Sequence, residues 1–307
     1  MSNMGKKILI LTGGSKKKLD AFIPPAENLG INVTLASFYD LEFTQKTFKG
    51  KLGLTIQGKD ISEFQLIYIR MVGKRMEDAT LLLNCAHDLG IRVIDKAYEK
   101  GLFIPSTISK AMEMKKLIEE GIPMPDTYFG NLFMIRDKIP ALFGFPFIIK
   151  STSGKKARDV WKVDDTDQLE FLITELRERE NRGDRFFAQK LIPASQRIRV
   201  LVVGGKVLGA ITRPTKWRKS FIDKQDGVFP EGKKEALIPV PIKYSDLAVK
   251  SVNAVDLDIS GVDILEEDRS EKLYVIEANA APSWKLIAKD CEVDVEEEIL
   301  KYLASLC

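Results

Sequence analysis

The apolar positions in the N-terminal third of the chain fall into short runs, each of the length of one β-strand. They occupy residues 6–12, 31–37, 66–71 and 92–95. Polar or helical stretches such as MEDATLLLNCAHDLG separate these runs, and strands that alternate with helices usually wind into a parallel sheet. We therefore predict a small open α/β domain over residues 1–107.

The hydrophobic pattern of the middle of the chain changes repeatedly between helix and strand. A helix is predicted over residues 108–120, ended by Gly121 and the IPMP turn. The strands FPFIIK, VWKV and RFFAQKLI follow, with the polar loop GKKARD between the first two and a charged amphipathic helix over residues 166–180 before the third. This order predicts a lid built from strand, loop and strand within residues 108–190.

The C-terminal part contains two candidate hairpins and two helices. RVLVV and KVLGAIT flank a Gly-Gly pair, which permits the tight turn of a hairpin. A long basic loop is predicted over residues 214–230. Helices are predicted over 245–257 and 295–306, so that residues 191–307 would form a third, mixed α+β unit.

The second hairpin places acidic residues in strands that should be buried. Its strands, GVDIL and LYVIEA, are joined by the charged stretch EEDRSE. Folding the hairpin symmetrically about Ser270 sets Asp263 opposite Glu277, and Asn279 points to the same face. Opposed carboxylates in an apolar setting need a proton or a divalent ion, and three oxygen ligands suit magnesium better than zinc. The alternative, a solvated hairpin end, leaves three inward polar groups unexplained.

A lysine that ends the apolar strand FPFII indicates an anion site. Lys150 is costly to bury without an anion, and the following residues offer backbone amides and the small side chains of Ser151, Ser153 and Gly154. Phosphate is the natural partner, while an ordinary solvated lysine at a strand end is the alternative. Together with the paired carboxylates, Lys150 favours a metal-bridged polyphosphate site.

Three other conspicuous features are predicted to be structural. The turn TGGSKKK, with Gly13 and Gly14, lacks the spacing of a P-loop and follows a strand as many strand-to-helix turns do. His87, the only histidine, falls in a predicted helix of the first domain. Trp284 could line an acceptor pocket, but we favour packing in the core.

Composition sets the broad class of the protein. The 307 residues are 45% hydrophobic and 30% charged, as in soluble globular proteins. No run approaches the roughly 18 to 20 apolar residues of a membrane span, and the N-terminus begins with the strand-like KKILILT, so we expect a cytoplasmic location. Three scattered cysteines argue against zinc and disulfides. With a net charge of +3, any affinity for nucleic acid would come from local basic loops.

In its order of elements, nearly the whole chain resembles the ATP-grasp carboxylate-amine ligases, most closely the RimK-like branch of ribosomal-protein glutamate ligases. GVDIL followed by YVIEANAAPSW is similar to the family's Asp and Glu-x-Asn-x-x-Pro metal elements, which assigns Asp263, Glu277 and Asn279 as metal ligands. The resemblance implies an α/β (α+β) fold. An N-terminal open parallel α/β domain would precede an ATP-grasp fold made of a lid subdomain and a C-terminal mixed α+β subdomain.

The same resemblance assigns residues to ATP and to the reaction. SKAMEMKKLIEEGIPMP looks like the helix with the family's first ATP-contacting lysine, FPFIIK like the strand with the second, and AQKLI like the strand that hydrogen-bonds adenine. RIRVLVVGGKVLGAITR resembles the hairpin whose Arg199 and Arg213 would meet metal-bound phosphate or the acyl intermediate. The implied ATP-binding residues are Lys110, Lys150, Ser151, Gly154, Gln189, Lys190, Leu191 and Ile192.

The implied activity is the ATP- and magnesium-dependent formation of an amide or peptide bond, with manganese as an alternative ion. ATP would phosphorylate a substrate carboxylate, and an amine would attack the resulting acyl phosphate. The acceptor would be a small molecule or a protein tail that receives glutamate or another amino acid. Relatives often form oligomers, so a homo-oligomer is one expectation; a membrane or nucleic-acid partner is not expected.

The chain departs from the family pattern in three places. GKKARD replaces the usual glycine-rich lid loop and retains only its glycine, although its basic residues could clamp phosphate by charge. Lys190 and Arg197 stand where relatives often carry an acid. WRKSFIDKQDG replaces an Arg-x-Asn and Gly-Gly pattern that helps hold the substrate, so the identity of the acceptor does not carry over.

Two functions of other classes are alternatives. One is a catalytically inactive ATP-grasp-like protein that binds nucleotide as a sensor or scaffold; the altered lid loop motivates it, and the retained metal ligands argue against it. The other is a regulatory protein associated with the ribosome or RNA, since basic loops with an aromatic residue can track a nucleic-acid backbone. Its residues would be Lys155, Lys156, Arg158, Trp217, Arg218 and Lys219.

Overall fold

The computed structural model describes residues 6–45, 52–98, 109–152, 159–218, 226–228 and 232–307. The first sheet consists of β1 (Lys7–Thr12), β2 (Asn32–Ser37), β6 (Leu66–Met71) and β7 (Arg92–Ile94). Its strands run parallel in the order β2-β1-β6-β7. This confirms the parallel α/β unit that the alternating apolar runs predicted.

Helices and a second, smaller sheet complete this N-terminal region. The helices are α1 (Ile23–Leu29) and α2 (Met76–Asp88), with 3-10 turns at Lys16–Phe22, Phe38–Asp40, Ile61–Glu63 and Lys96–Tyr98. The antiparallel strands are β3 (Leu41–Gln45), β4 (Leu52–Ile56) and β5 (Lys59–Asp60). This sheet was not predicted, because its strands have only two to five residues and β4 buries only the alternate positions Leu54 and Ile56 among the residues whose burial is described.

The middle part of the chain begins with α3 (Lys110–Glu119), which buries Leu117 in a core with Val200 and Val262. A six-stranded sheet packed against two helices follows, and we call it the lid sheet. Its elements in chain order are β8 (Thr127–Phe129), α4 (Leu132–Phe143), β9 (Phe147–Ser151), β10 (Val160–Val163), α5 (Thr166–Asn181), β11 (Phe186–Lys190), β14 (Lys216–Arg218) and β15 (Asp226–Val228). The sheet order is β15-β14-β10-β9-β11-β8. The predicted strand, loop, strand arrangement therefore corresponds to the antiparallel pair of β9 and β10.

Two predictions for this region need correction. The segment 214–230 is not wholly a loop, because β14 pairs with β10 and with β15. Strands of three residues depend on their neighbours for pairing, so their own sequence gives little signal. Helix α4 was not predicted because Pro140 interrupts its pattern, yet the Asn131 side chain caps its N-terminus by accepting from the Met134 N–H at 2.8 Å.

The C-terminal sheet is antiparallel. It consists of β12 (Gln196–Val203), β13 (Lys206–Pro214), β16 (Ala236–Leu237), β17 (Ile259–Glu266) and β18 (Leu273–Asn279) in the order β16-β13-β12-β17-β18. Gly204 and Gly205 both have positive φ, 55° and 80°, which confirms the tight turn predicted between β12 and β13. The helices are α6 (Ile242–Ala254), α7 (Lys285–Asp290) and α8 (Val295–Ser305). None of the helices in the described part of the chain has the length and apolar character needed to span a bilayer.

The two faces of this sheet have different surroundings. On one face, Val200 and Val262 are buried in a core with residues of α6. On the other face, Leu201 and Ile259 are buried in a core shared with the N-terminal sheet and α8. Further along the same strands this second face becomes charged, and that charged part forms the candidate site described below.

The turn that contains Gly13 is held by backbone contacts. The Gly13 N–H donates to the Met71 carbonyl oxygen at 2.6 Å, which links the ends of β1 and β6. A Cβ atom at Gly13 would lie 1.8 Å from the Val72 carbonyl oxygen. This close approach accounts for the glycine and agrees with the structural interpretation of the TGG turn.

We expect Gly13→Ala to lower the free energy of unfolding by about 1–3 kcal/mol, because the added methyl group must push backbone atoms apart. Chemical denaturation monitored by circular dichroism measures the change. Gly53→Ala is the matched control, since a Cβ there would make ordinary contacts at 3.5 Å and longer. Equal stability of the two variants would contradict the steric explanation.

Candidate active site

The hairpin of β17 and β18 forms the base of the charged site. Asp263 lies directly opposite Glu277, as the symmetric hairpin predicted, and Gly261 lies opposite Asn279. The pairing shifts by one residue next to Asp263, but Glu277 and Asn279 remain two positions apart and point to the same face. Asp263 is buried, whereas Glu277 and Asn279 are half-buried. The three predicted oxygen ligands therefore share one face of the sheet.

Arginines from the adjacent strand surround Asp263. Arg199 is paired with Asp263 across β12 and β17, and its Nε and Nη2 atoms donate to the two carboxylate oxygens at 2.6 Å each. The Arg197 Nη1 atom lies 3.6 Å from Asp263 Oδ2. Burial alone would raise the pKa of Asp263, but the charges of Arg197 and Arg199 outweigh burial and hold that pKa below its usual range. Asp263 is thus an ionised carboxylate in a buried position.

Helix α3 brings a lysine and a further carboxylate to the hairpin. The Lys110 ammonium group donates to Glu277 Oε1 and lies 3.6 Å from Glu113 Oε2. Burial opposes the charge of Lys110, yet Glu113 and Glu277 together raise its pKa above the ordinary value. Glu113 also accepts from the Ala278 N–H at 2.7 Å. It therefore connects the start of α3 to the strand segment between Glu277 and Asn279.

Lys150 lies on the lid side of the same charge cluster. Its Nζ atom donates to Gln189 Oε1 at 2.6 Å, and Gln189 Nε2 donates to Thr127 Oγ1 at 2.9 Å. Burial, and then the charges of Lys110 and Arg197, lower the pKa of Lys150 to about 8. Ser151 is buried next to it. Lys150 is half-buried and held within the cluster by a neutral partner, which argues against the solvated-lysine alternative.

The remaining predicted site residues lie in three environments. Arg213 is half-buried and sits opposite Arg197 on β13. Lys190 is exposed at the end of β11, where its Nζ atom lies 3.8 Å from Asp126 Oδ2, and Ile192 is buried. Leu191, between them, is half-buried. Gly154, Ser153, Lys155, Lys156 and Arg158 lie outside the described residues.

The cluster carries more positive than negative charge. Its cations come from β9, β12, β13 and α3, and its carboxylates come from α3, β17 and β18. They are Lys110, Lys150, Arg197, Arg199 and Arg213 against Glu113, Asp263 and Glu277. Burial, and then the Glu277 charge, raise the pKa of Glu113 to about 7 against the opposing Lys110 charge, which reduces the negative side further. An excess of half-buried positive charge favours an anionic ligand.

The oxygen atoms of Asp263, Glu277 and Asn279 are suited to a hard divalent cation. Carboxylate and amide oxygens are typical ligands of magnesium, which also takes ligands from phosphate. Among the described residues, no group of three or more His, Cys, Asp or Glu side chains is arranged so that it could hold a metal ion.

A small cavity opens beside these residues. Its volume is about 120 Å³, and Lys110, Glu113, Glu277 and Asn279 are among the residues that line it. A nucleotide needs a larger space, on the order of 300 Å³ or more, so it would have to extend beyond this cavity. A cavity of about 380 Å³ lies elsewhere, between β10 and α5, and is lined by Trp161, Lys162 and Phe171. That cavity contains none of the carboxylates and cations of the cluster.

Sequence reasoning missed two members of the cluster. Glu113 lies three residues after Lys110 on α3, so helical spacing alone could have indicated that both face the same strand. Arg197 was noted only as a departure from the family pattern. The position of its side chain could have been predicted from the alternation of side chains in a strand, because Arg197 lies two residues before Arg199 and hence on the same face.

The segment that follows Asn279 packs against the N-terminal domain. Trp284 is buried, stands edge-on to Phe22 with ring centroids 6.3 Å apart, and donates from Nε1 to Glu296 at 2.8 Å. The guanidinium of Arg70 lies 3.9 Å from the centre of the Trp284 ring and donates to the Pro282 carbonyl. The core interpretation of Trp284 is thus confirmed.

The structure also places His87, which was predicted to be structural, and Trp217, which belongs to the nucleic-acid alternative. His87 lies on α2, as predicted, with its side chain 71% exposed. Trp217 is buried, with the Lys162 ammonium 5.7 Å from its ring centre, so its ring is not displayed for stacking on a base. The geometry of Trp217 therefore gives no support to a nucleic-acid surface. Lys219 lies outside the described residues, and only the backbone of Arg218 is described.

Comparison with known proteins gives a consistent family relationship. A sequence model of the RimK-like ATP-grasp domain matches residues 107–303. Beta-citrylglutamate synthase B of Mus musculus is 28% identical over 269 residues, which cover 84% of this chain and 65% of that protein. N-acetylaspartylglutamate synthase A of Homo sapiens is 28% identical over 268 residues, which cover 84% and 64%. The chain thus spans slightly less than two thirds of the length of these relatives.

Solved structures share the fold at lower sequence identity. The ATP-grasp ligase PsnB in complex with a minimal precursor has a TM-score of 0.71 and 19% identity, with 99% of this chain and 100% of that chain covered. A second PsnB structure contains a variant of the precursor, Mg and ADP, with a TM-score of 0.70, 18% identity and 99% coverage of both chains. At such identities the similarity shows the fold alone.

The lowered pKa of Lys150 gives a pH-dependent prediction for nucleotide binding. A phosphate group would favour the charged lysine, so affinity for a non-hydrolysable ATP analogue should fall by about tenfold between pH 8 and pH 9.5 as free Lys150 loses its proton. In Lys150→Arg the guanidinium stays charged, so the affinity should stay nearly constant. Calorimetric titration at several pH values measures both.

Lys206→Arg, at an exposed position, is the control and should keep the parental pH profile. In the absence of ligand, the contribution of Lys150 to the free energy of unfolding should change with pH in the opposite direction and rise as the pH rises. Its folded pKa lies below the unfolded value, so the cost of burying its charge is complete below about pH 8 and is relieved as the pH rises toward 10.5. An affinity that does not change between pH 8 and pH 9.5 in the parent would show that Lys150 does not contact the phosphates.

Proposed function

Because the chain belongs to the RimK-like ATP-grasp family, we propose that it is an ATP-dependent ligase that joins a carboxylate to an amine through an acyl phosphate. The observation that carries this proposal is the charge cluster on the C-terminal sheet. It combines two opposed carboxylates with half-buried cations from separate elements. That combination suits a divalent cation bound together with a polyphosphate.

We assign the nucleotide phosphates to the lysines of the cluster. Lys110 reaches the hairpin from α3 and Lys150 reaches it from the lid sheet, so phosphate oxygens between them would meet positive charge from two sides. Asp263, Glu277 and Asn279 would hold magnesium, with manganese as the alternative, and the ion would neutralise charge on the phosphates. Lys110 is the more strongly held of the two lysines, because it already pairs with a carboxylate.

The adenine contacts are proposed for the segment that leaves β11. The Gln189 side chain is occupied by Lys150 and Thr127, so a contact from this residue to adenine would use the backbone. The Lys190 N–H donates to the Asp126 carbonyl at 2.9 Å. The carbonyl groups and remaining amides of Lys190, Leu191 and Ile192 are therefore the candidates for the purine edge. Ser151 and Gly154, at the lid, are proposed to contact phosphate.

The arginines are proposed to act on the acyl group. When a carboxylate is phosphorylated and an amine then attacks, negative charge develops on the carbonyl oxygen. Positioned guanidinium groups stabilise such an oxyanion without reorganising during the reaction. Arg199 is fixed by its two hydrogen bonds to Asp263, and Arg213 faces the same side of the sheet. Both are proposed as catalytic residues.

Glutamate or another amino acid is the proposed amine substrate. The mouse and human relatives are named as synthases of beta-citrylglutamate and N-acetylaspartylglutamate, and a Legionella pneumophila relative, 23% identical over 253 residues, as a probable alpha-L-glutamate ligase. All of these names contain glutamate. The carboxylate would come from a small molecule or a protein tail, since PsnB was solved with a precursor peptide.

We expect the parent protein to be stabilised by a non-hydrolysable ATP analogue only when magnesium is present. At a ligand concentration of one hundred times Kd the gain is about 2.7 kcal/mol, which a thermal shift assay detects. The double variant Asp263→Asn/Glu277→Gln should lose this gain and should release no ADP with a carboxylate and glutamate. Circular dichroism establishes that the variant is folded.

The matched control is Glu119→Gln/Asp137→Asn, which removes the same charge from two exposed positions and should behave as the parent. Nucleotide binding without ADP release for any carboxylate and amine pair would favour the catalytically inactive alternative. No stabilisation of the parent at millimolar nucleotide would reject the ligase proposal as stated.

A further inference from the structure

Glu113 is a largely buried carboxylate to which the proposed mechanism gives no part. It lies on α3, and its side chain is only 14% exposed. Burying a carboxylate costs free energy unless the group is paired and hydrogen-bonded, and apolar residues of similar size can often replace buried ion pairs without loss of stability. The position of Glu113 therefore calls for an explanation other than the stability of the fold.

The carboxylate of Glu113 caps the edge of the C-terminal sheet. Strand β18 is the outermost of the described strands on its side of this sheet, and the N–H groups on such an edge need other partners when they are buried. The Ala278 N–H donates to Glu113 Oε1 at 2.7 Å, and the Val275 N–H donates to the Pro123 carbonyl oxygen at 2.8 Å. Helix α3 and the turn that follows it thus take the place of a further strand.

The hydrogen bond to Ala278 lies between two of the proposed metal ligands. Glu277 and Asn279 flank Ala278 in the chain, and their side chains point to the same face. The pairing of β17 with β18 shifts next to Asp263, so only three residue pairs of the ladder hold the segment that carries both ligands. The contact from α3 therefore helps to determine where this segment lies relative to Asp263.

The other oxygen of Glu113 lies near Lys110, but that contact is the longer of the two. Glu113 Oε2 is 3.6 Å from Lys110 Nζ, which exceeds the usual length of a hydrogen bond, whereas the 2.7 Å between Glu113 Oε1 and the Ala278 nitrogen does not. Lys110 also donates directly to Glu277. Lys110 thus keeps a direct partner without Glu113, and the hydrogen bond to Ala278 is the contact that Glu113 itself supplies.

We propose that Glu113 is a positioning residue of the metal site: its hydrogen bond to the Ala278 N–H sets where the two flanking ligands lie relative to Asp263. It acts through strand β18 and touches neither the nucleotide nor the ion. The inference rests on the proposed function and adds a residue to that same site. The role requires an acceptor of the right reach, so glutamine should replace Glu113, whereas aspartate, shorter by one methylene or about 1.5 Å, should not.

Two variants separate the reach of this side chain from its charge. Glu113→Gln keeps the reach and loses the charge, whereas Glu113→Asp keeps the charge and loses the reach. Hydrogen exchange of the Ala278 amide, followed by NMR on the protein without ligand, should be about tenfold faster in Glu113→Asp and within about twofold of the parent in Glu113→Gln. Glu119→Asp, at an exposed position of the same helix, is the matched control and should exchange as the parent does.

The same variants should differ in the magnesium concentration that they require. With a saturating non-hydrolysable ATP analogue, the magnesium concentration that gives half of the thermal stabilisation should rise about tenfold in Glu113→Asp, because the ligands are no longer held in place. It should stay within about twofold of the parental value in Glu113→Gln and Glu119→Asp. Magnesium at about tenfold higher concentration should restore the full stabilisation of Glu113→Asp, which a general folding defect would not allow.

Each other result overturns the inference at a different step. Unchanged exchange of the Ala278 amide in Glu113→Asp would reject the anchor, and faster exchange with an unchanged magnesium requirement would reject its role in positioning the ligands. Losses of equal size in Glu113→Gln and Glu113→Asp would show that the charge of Glu113 acts instead. If the analogue with magnesium does not stabilise the parent, the proposed function fails and this role fails with it, whereas the exchange measurement, which needs no ligand, still tests the anchor by itself.

Discussion

The bidentate ion pair between Asp263 and Arg199 is the interaction on which the site depends. A carboxylate buried on β17 would take up a proton unless a cation compensated it, and Arg199 does so through two hydrogen bonds of 2.6 Å from the adjacent strand. Buried ion pairs often add little net stability, because desolvation offsets their attraction. The pair is better explained by position, because it keeps Asp263 ionised for the cation that we propose and fixes the Arg199 guanidinium.

The hairpin and the parallel sheet could be predicted from the sequence because each shows a local, repeating pattern of apolar residues. Folding GVDIL and LYVIEA about Ser270 gave the pairing of Asp263 with Glu277, since side chains in a strand alternate strictly. Features that depend on contacts between residues far apart in the chain could not be predicted in this way. Strand β14 exists through its pairing with β10, and the role of Glu113 depends on the Ala278 N–H, 165 residues away in the chain. Likewise, the pKa of Lys150 is set by burial and by charges from other elements.

Both site carboxylates of the hairpin already have a protein cation as a partner. Lys110 pairs with Glu277, and Arg199 pairs with Asp263, so the negative charge of each is compensated within the protein. A cation alone would have to displace these partners, and an anion alone would add negative charge beside both carboxylates. A cation and a polyphosphate that bind together avoid both costs, because the lysine and arginine groups can interact with phosphate while the carboxylates interact with the ion. The charge pairing therefore favours joint binding of the two ligands.

The N-terminal domain contributes to the site through the chain that follows Asn279. A Cβ atom at Gly261 would lie 2.8 Å from the Pro282 Cβ, so glycine at this position lets the segment after β18 fold back over the sheet. Arg70, at the end of β6, then holds Pro282 and Trp284 by a hydrogen bond and a cation–π contact. The end of β18, which carries Asn279, is thus fixed between its own sheet and the N-terminal sheet. A displacement of the N-terminal domain would move Asn279 relative to Asp263, which is anchored separately by Arg199, and so would change the spacing of the oxygen atoms that we propose bind the metal.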